Sequence, residues 1–235
     1  MTRPALTLVL LPGMDGSGEL FAAFIAALGD AVVPLVVSYP PGEPLDYALL
    51  TAFVRCRLPP DQPFVLLGES FSGPVAIALA ASSPPGLVAL ILCCSFARNP
   101  APALTLFKHV LGALPMSASL TGLIAPLLLG SASTPLLREA LRAAIGKVSA
   151  AVMRARLRAV LDCDYSTLMR AVVVPVLYLQ AAQDRVVAAG AARYLATLQP
   201  QLHIVPIAGP HLLLQAAPVT AALAVRRFIT SLATG

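Results

Sequence analysis

This chain predicts an α/β protein: an open, mostly parallel sheet covered by helices on both faces, with a helical lid insertion. Three observations carry that prediction. Short apolar, β-branched-rich runs alternate with Ala- and Leu-rich stretches along most of the sequence. The runs are continuously apolar rather than alternating, which marks strands buried on both faces. The rhythm breaks once, between Phe96 and Arg170, where helical stretches follow one another without a clear strand.

In chain order, the first strand is Thr7–Leu11 and a Gly-rich loop leads to a helix over Gly18–Leu28. A strand at Val32–Ser38 precedes a helix over Asp46–Arg57. The strand Phe64–Gly68 runs into a helix over Phe71–Ala81, and Val88–Cys94 is the fourth strand. The insertion follows, with helical stretches at Leu104–Leu114 and Thr134–Leu161. The strand Val173–Gln180, the helix Ala188–Leu198, the strand His203–Ile207 and the helix Leu212–Leu232 complete the chain. Such alternation gives right-handed crossovers and one layered unit. The expected division is a core of 1–95 and 170–235 and a lid of 96–169. The end of a parallel strand opens onto the carboxyl edge of the sheet, where open α/β sheets bind ligands. An apolar insertion there can roof a site and exclude water, or simply extend the core.

Bulk composition narrows the function classes. The chain has 235 residues, 58% of them hydrophobic and only 11% charged, so it is far more apolar than an average soluble protein. The uncharged stretch from His109 to Leu137 is broken by Gly112, Pro115, Gly122, Pro126, Gly130 and Pro135, which argues against a spanning helix. Met1-Thr2-Arg3-Pro4 runs directly into a strand without the form of a signal peptide, so a cytoplasmic protein is expected. The net charge of +5 comes without Trp and without a dense basic-aromatic patch, so nucleic acid is not an expected partner. Arg154, Arg156 and Arg158, with Arg138, Arg142 and Lys147 upstream, read as a solvated helix face. Their other reading is a docking surface for an acyl carrier or anionic lipid headgroups. Cys56, Cys93, Cys94 and Cys163 show no metal-ligand spacing and are expected to be reduced, with Cys93 and Cys94 on opposite sides of a strand. No cofactor or metal motif is found.

The densest chemical signal is Gly68-Glu69-Ser70-Phe71-Ser72-Gly73, between a strand and a helix. A serine flanked by small residues at that junction is the sequence form of a nucleophile elbow, where the backbone reverses so sharply that only small neighbours avoid a clash. A serine hydroxyl needs a base at neutral pH. Of three histidines, His109 lies in the insertion and His203 begins a strand, whereas His211 lies in a loop after the last strand and is the expected base. The acid that orients it should also lie at a strand end. Asp184 does so, while Asp162 and Asp164 sit where an Asp more often caps a helix. Oxyanion donors would be the backbone amides of Phe71, next after the serine, and of Met14, in Leu11-Pro12-Gly13-Met14-Asp15-Gly16-Ser17-Gly18. That loop could instead cradle a dinucleotide. Its order is G-x-x-G-x-G, however, and no acid ends the second strand.

Taken jointly, L-P-G-M-D-G, G-E-S-F-S-G, a strand-loop-Asp-x-V segment and G-P-H-x-L-L resemble the α/β-hydrolase superfamily over nearly the whole chain. Within it they look like the bacterial serine esterase/lipase-like group with a P-G-x-D-G oxyanion loop. The resemblance implies a serine hydrolase with nucleophile Ser70, acid Asp184, base His211 and oxyanion donors Met14 and Phe71. Pro12, where many relatives carry His, and Ser72, at the usual Gly, depart from the pattern. The expected reaction is hydrolysis of small-molecule carboxylic esters with an apolar acyl or alcohol part. The same residues would serve an acyltransferase or thioesterase acting on an acyl-CoA or acyl-carrier substrate, or, with no turnover, a ligand sensor.

Overall fold

The computed structural model of the chain describes residues 6–60, 62–103 and 121–232. Six parallel strands form one sheet in the order β2-β1-β3-β4-β5-β6. They are β1 (Thr7–Leu11), β2 (Val33–Val36), β3 (Phe64–Glu69), β4 (Leu87–Cys93), β5 (Val176–Ala181) and β6 (His203–Ile207). The chain leaves β1 toward β2 and returns to β3, so the direction of strand addition reverses between β1 and β3. That switch point is where open α/β sheets make their crevice. In register, Leu11 faces Gly68, which sets the loop after β1 beside the turn after β3.

Strand residues alternate between two apolar layers. Val9, Leu11, Phe64, Leu66, Leu90 and Leu92 pack with α2 (Tyr47–Arg55), α3 (Gly73–Ala81) and α8 (Gly190–Leu198). Leu8, Leu10, Val65, Leu67, Ala89 and Ile91 pack with α1 (Ala22–Leu28), α9 (Leu213–Ala216) and α10 (Pro218–Leu232). The central strands are buried on both faces, which is why their sequences lack alternation. Truncating a core Leu such as Leu66 to Ala should cost about 2–5 kcal/mol. β2 is an edge strand, and it accommodates Pro34 because its outer side needs no ladder hydrogen bond.

Between β4 and β5 lies the helical insertion, with α4 (Thr121–Leu129), α5 (Pro135–Gly146), α6 (Ala150–Leu161) and α7 (Ser166–Arg170). Its two ends are zipped together. Asn99 N–H donates to the Cys163 carbonyl at 2.9 Å and Tyr165 N–H to the Ala97 carbonyl at 2.6 Å. The expected helix Leu104–Leu114, and His109 within it, lie outside the described residues. Among the described residues no helix is long and apolar enough to cross a membrane.

Several boundaries differ from the sequence expectation, each for a local reason. Thr134–Leu161 divides into two helices because Ser149 caps a fresh start, its Oγ accepting from Val152 N–H. Leu212–Leu232 divides before Pro218, which disfavours helical backbone at Ala217. β5 begins at Val176, not Val173, because Pro175 has no N–H to give a ladder. Cys93 and Cys94 do not point to opposite sides. Cys94 leaves the strand with φ 48°, and the two sulfurs come within 3.9 Å in one buried layer.

Candidate active site

β3 ends at Glu69, and Ser70–Ser72 form a 3-10 turn that runs directly into α3. Ser70 has φ 48°, a backbone region that non-glycine residues seldom occupy and that strained functional turns often use. The small neighbours explain how it is tolerated. A Cβ on Gly68 would stand 2.8 Å from the Ser72 carbonyl oxygen, and one on Gly73 would stand 1.7 Å from Ser95 Oγ. Ser95 Oγ in turn donates to the Ser70 carbonyl at 2.6 Å. Gly73 therefore makes room for the side chain that holds the strained serine from below.

Two loops at the carboxyl edge meet over Ser70. The loop after β5 carries Asp184 and the loop after β6 carries His211. They are stitched together, with Gln183 N–H donating to the Gly209 carbonyl at 3.0 Å and Gly209 N–H donating to Gln183 Oε1 at 2.6 Å. His211 Nδ1 lies 2.8 Å from Asp184 Oδ2 and 3.0 Å from Oδ1. His211 Nε2 lies 2.8 Å from Ser70 Oγ. The Asp184 carboxylate also accepts the amides of Val186 and Val187, both at 2.8 Å, so its own orientation is fixed. Its position selects the tautomer with the proton on Nδ1 and leaves the Nε2 lone pair facing the serine hydroxyl. The imidazole and the carboxylate are almost entirely buried, whereas Ser70 is half-buried. Asp164 instead accepts the Ser166 amide at 3.0 Å, two residues on, while the N-cap position of α7 is Tyr165. His203 stands exposed on β6.

The loop after β1 lies beside Ser70, as the β1–β3 register requires. Gly16 N–H donates to the Gly13 carbonyl at 3.0 Å, closing a turn around Met14. Asp15 Oδ2 accepts both the amide and the hydroxyl of Ser17, at 2.9 and 2.6 Å. Ser72 is fully buried; its hydroxyl donates to the Pro12 carbonyl and accepts from Tyr39 Oη at 2.6 Å. The Phe71 ring stacks on Tyr47 with centroids 4.9 Å apart and meets Tyr39 edge-on. Phe71, one expected donor, follows Ser70 directly, and the loop that carries Met14, the other, is tied to the elbow through the Ser72–Pro12 hydrogen bond.

Arg156 overturns one expectation. It does not belong to a solvated face: it is 1% exposed, and Nη1 donates to the Met14 carbonyl at 2.7 Å. The signal was present in the spacing. Arg154 and Arg158 are four apart and share a helix face, while Arg156, two from each, projects to the other side. Arg142 and Lys147 are exposed and engage Glu139 and Glu19. Ser95, Tyr39 and Glu69 were also missed, since none carries a motif of its own. Glu69 is buried beside the elbow, and loss of hydration pushes its carboxyl up to about 8, an effect moderated by a hydrogen bond from Gln215. Gln215 Nε2 donates to Glu69 Oε1 at 3.1 Å, while Gln215 Oε1 is buried without a partner. Turning the amide over lets it accept the proton that Glu69 retains.

Among the described residues no three His, Cys, Asp or Glu side chains cluster so as to hold a metal ion. A groove of about 550 Å³ lies between β6 and α10, but its lining includes none of Ser70, Asp184, His211, Met14 or Phe71.

Sheet order, elbow and edge loops together define a doubly covered parallel-sheet protein with a serine at its switch point. A family model described as the alpha/beta hydrolase family matches residues 8–223, and the chain belongs to that family. No curated protein matches it in sequence. Among solved structures, the fold is similar to the enol-lactonase from Burkholderia xenovorans LB400, at 18% identity and TM-score 0.82, over 99% of this chain and 93% of that one. It is similar to a thermophilic esterase from Thermogutta terrifontis, at 21% identity and TM-score 0.83, over 97% and 90%. It is also similar to a bromoperoxidase from Bacillus anthracis, at 15% identity and TM-score 0.81, over 96% and 92%. Three different named activities on one architecture leave the chemistry to be argued from the site.

Proposed function

We propose that the protein is a serine hydrolase that cleaves carboxylic esters with an apolar acyl or alcohol part through an acyl-enzyme, of the bacterial esterase/lipase-like kind. The observation that carries this reading is the continuous contact from Ser70 Oγ to His211 Nε2 at 2.8 Å and from His211 Nδ1 to Asp184 at 2.8 Å. Ser70 Oγ attacks the ester carbonyl while His211 Nε2 takes its proton. Asp184 holds the imidazolium, and the amides of Met14 and Phe71 stabilise the tetrahedral oxyanion. His211 then gives the proton to the departing alcohol. Water, activated by the same imidazole, attacks the acyl-Ser70 ester and regenerates the serine.

The chain from 96 to 169 acts as a lid over a core of 1–95 and 170–235. Its support is the hydrogen bond from Leu212 N–H, next after His211, to the Leu128 carbonyl at 3.0 Å. Leu212 also packs with Ala125, Leu129 and Leu141 of the insertion. An apolar roof so close to the base favours an apolar substrate.

The test is covalent labelling of the protein by a fluorophosphonate together with burst kinetics on p-nitrophenyl acyl esters. Labelling that persists in Ser70→Ala would overturn the assignment. A chain-length series of esters and thioesters, with products analysed in the presence of a competing alcohol, separates hydrolysis from acyl transfer.

A further inference from the structure

We propose that Arg156, on α6 of the insertion, is a positioning residue for the loop that carries the Met14 oxyanion donor, so that the insertion sets catalytic geometry as well as covering the site. This rests on the serine-hydrolase reading above.

The two peptide planes that meet at Met14 are fixed by different partners. The plane between Gly13 and Met14 is held by the turn, where Gly16 N–H donates to the Gly13 carbonyl at 3.0 Å. In a trans peptide the N–H and the carbonyl point in opposite directions. The Met14 N–H is therefore directed away from that turn. The following plane, between Met14 and Asp15, is held by a side chain from elsewhere in the fold: Arg156 Nη1 donates to the Met14 carbonyl at 2.7 Å. Arg156 Nη2 reaches the Pro40 carbonyl at 3.5 Å, and Tyr39 N–H, next to it, donates to the Gly16 carbonyl at 2.7 Å. The guanidinium thus ties the loop after β1 to the segment after β2.

Its seat is built for a planar group. Gly16 has φ 69°, and a Cβ there would lie 2.6 Å from Nη1 and 2.7 Å from Nη2. The guanidinium carbon stands 5.7 Å from the Tyr39 ring centroid and 5.9 Å from that of Phe71, within reach of cation–π attraction. One side chain therefore bonds the loop of one expected oxyanion donor and stands 5.9 Å from the ring centroid of the residue that supplies the other. Lysine offers neither the fork nor the flat face.

The experiment compares Arg156→Lys, Arg156→Gln and Arg156→Met with the exposed control Arg158→Met, which removes the same charge from the other side of α6. Active sites are counted by fluorophosphonate labelling, and kcat and KM are measured with p-nitrophenyl butyrate. For the folded Arg156 variants, kcat per labelled site should fall on the order of 10- to 100-fold, less than complete loss of an oxyanion donor. KM should stay within about threefold, because the ground-state carbonyl makes little use of the donors. Binding of an alkyl trifluoromethyl ketone, which forms a tetrahedral adduct, should weaken in parallel with kcat. The pH–rate profile should keep its shape, since Asp184 and His211 are untouched. A kcat per labelled site within about twofold of wild type in Arg156→Lys and Arg156→Gln overturns the inference, as does an equal fall in Arg158→Met. Wild-type protein that takes no label overturns the serine-hydrolase reading itself, a different result from labelled variants with normal kcat.

Discussion

The Ser72 hydroxyl donates to the carbonyl of Pro12. These are the two positions at which the sequence departs from the pattern of the family it resembles, and they touch. A glycine at 72 would leave the Pro12 carbonyl without this donor, and Tyr39 Oη, 2.6 Å away, without its acceptor. The two departures are one device: a hydroxyl on the elbow holds the loop after β1.

Ser72→Ala should therefore destabilise the protein by about 1–3 kcal/mol, because it strands a buried carbonyl and a buried phenol. Tyr39→Phe removes only the outer member and should cost less. The double variant should cost less than the sum of the two, as coupled neighbours do. Urea unfolding of the four proteins checks this; strict additivity would show that the contact carries no energy.

Asp184→Asn should preserve the fold while depressing kcat on the order of 10⁴-fold, since an amide no longer enforces the Nδ1–H tautomer. Single-turnover acylation of Ser70 by a p-nitrophenyl ester, alongside circular dichroism, measures both halves. A loss of less than about tenfold would return Asp162 and Asp164 to consideration.

Glu69 makes stability depend on pH in an unusual direction. Its carboxyl keeps the proton to about 8 in the fold, against an ordinary value of 4.5. Between those values the unfolded chain has released a proton that the folded chain still holds, so stability falls as pH rises and levels off above about 8. Glu69→Gln has no such proton. Its Tm relative to wild type should climb from pH 5 to pH 8, and a constant difference would contradict the buried, protonated state.

Gly73→Ala should destabilise by at least about 1–3 kcal/mol, the usual cost of overpacking, because the new Cβ would stand 1.7 Å from Ser95 Oγ. Ser95→Gly, combined with it, removes the clash and should recover much of the loss in Tm while leaving the Ser70 carbonyl without its 2.6 Å donor. The double variant is thus expected to be more stable than Gly73→Ala yet slow in Ser70 labelling.

The contact among Ser70, His211 and Asp184 was legible because local sequence and element ends coincide there. Ser70 follows a strand and precedes a helix, and Asp184 and His211 follow strands, so parallel topology alone carries all three to one edge. The residues that brace them were not legible. Ser95 acts through a gap left by Gly73, and Tyr39 through a hydroxyl on Ser72; both depend on contacts between segments far apart in sequence. Arg156 was hidden by its neighbours, since a row of arginines at alternate positions looks like one charged face until the helical turn is counted. Helix boundaries failed at Ser149 and Pro218, where a cap and a proline that pushes Ala217 out of helical backbone interrupt an apolar rhythm that otherwise continues.

Because the two ends of the insertion meet at Ala97–Asn99 and Cys163–Tyr165, it resembles a cassette that could be exchanged between relatives without disturbing the sheet. The Arg156–Met14 contact limits that freedom. A transplanted cassette that lacked an arginine at this point would bring a new roof and loosen the floor beneath it, so that changing what the protein accepts would also change how well it reacts.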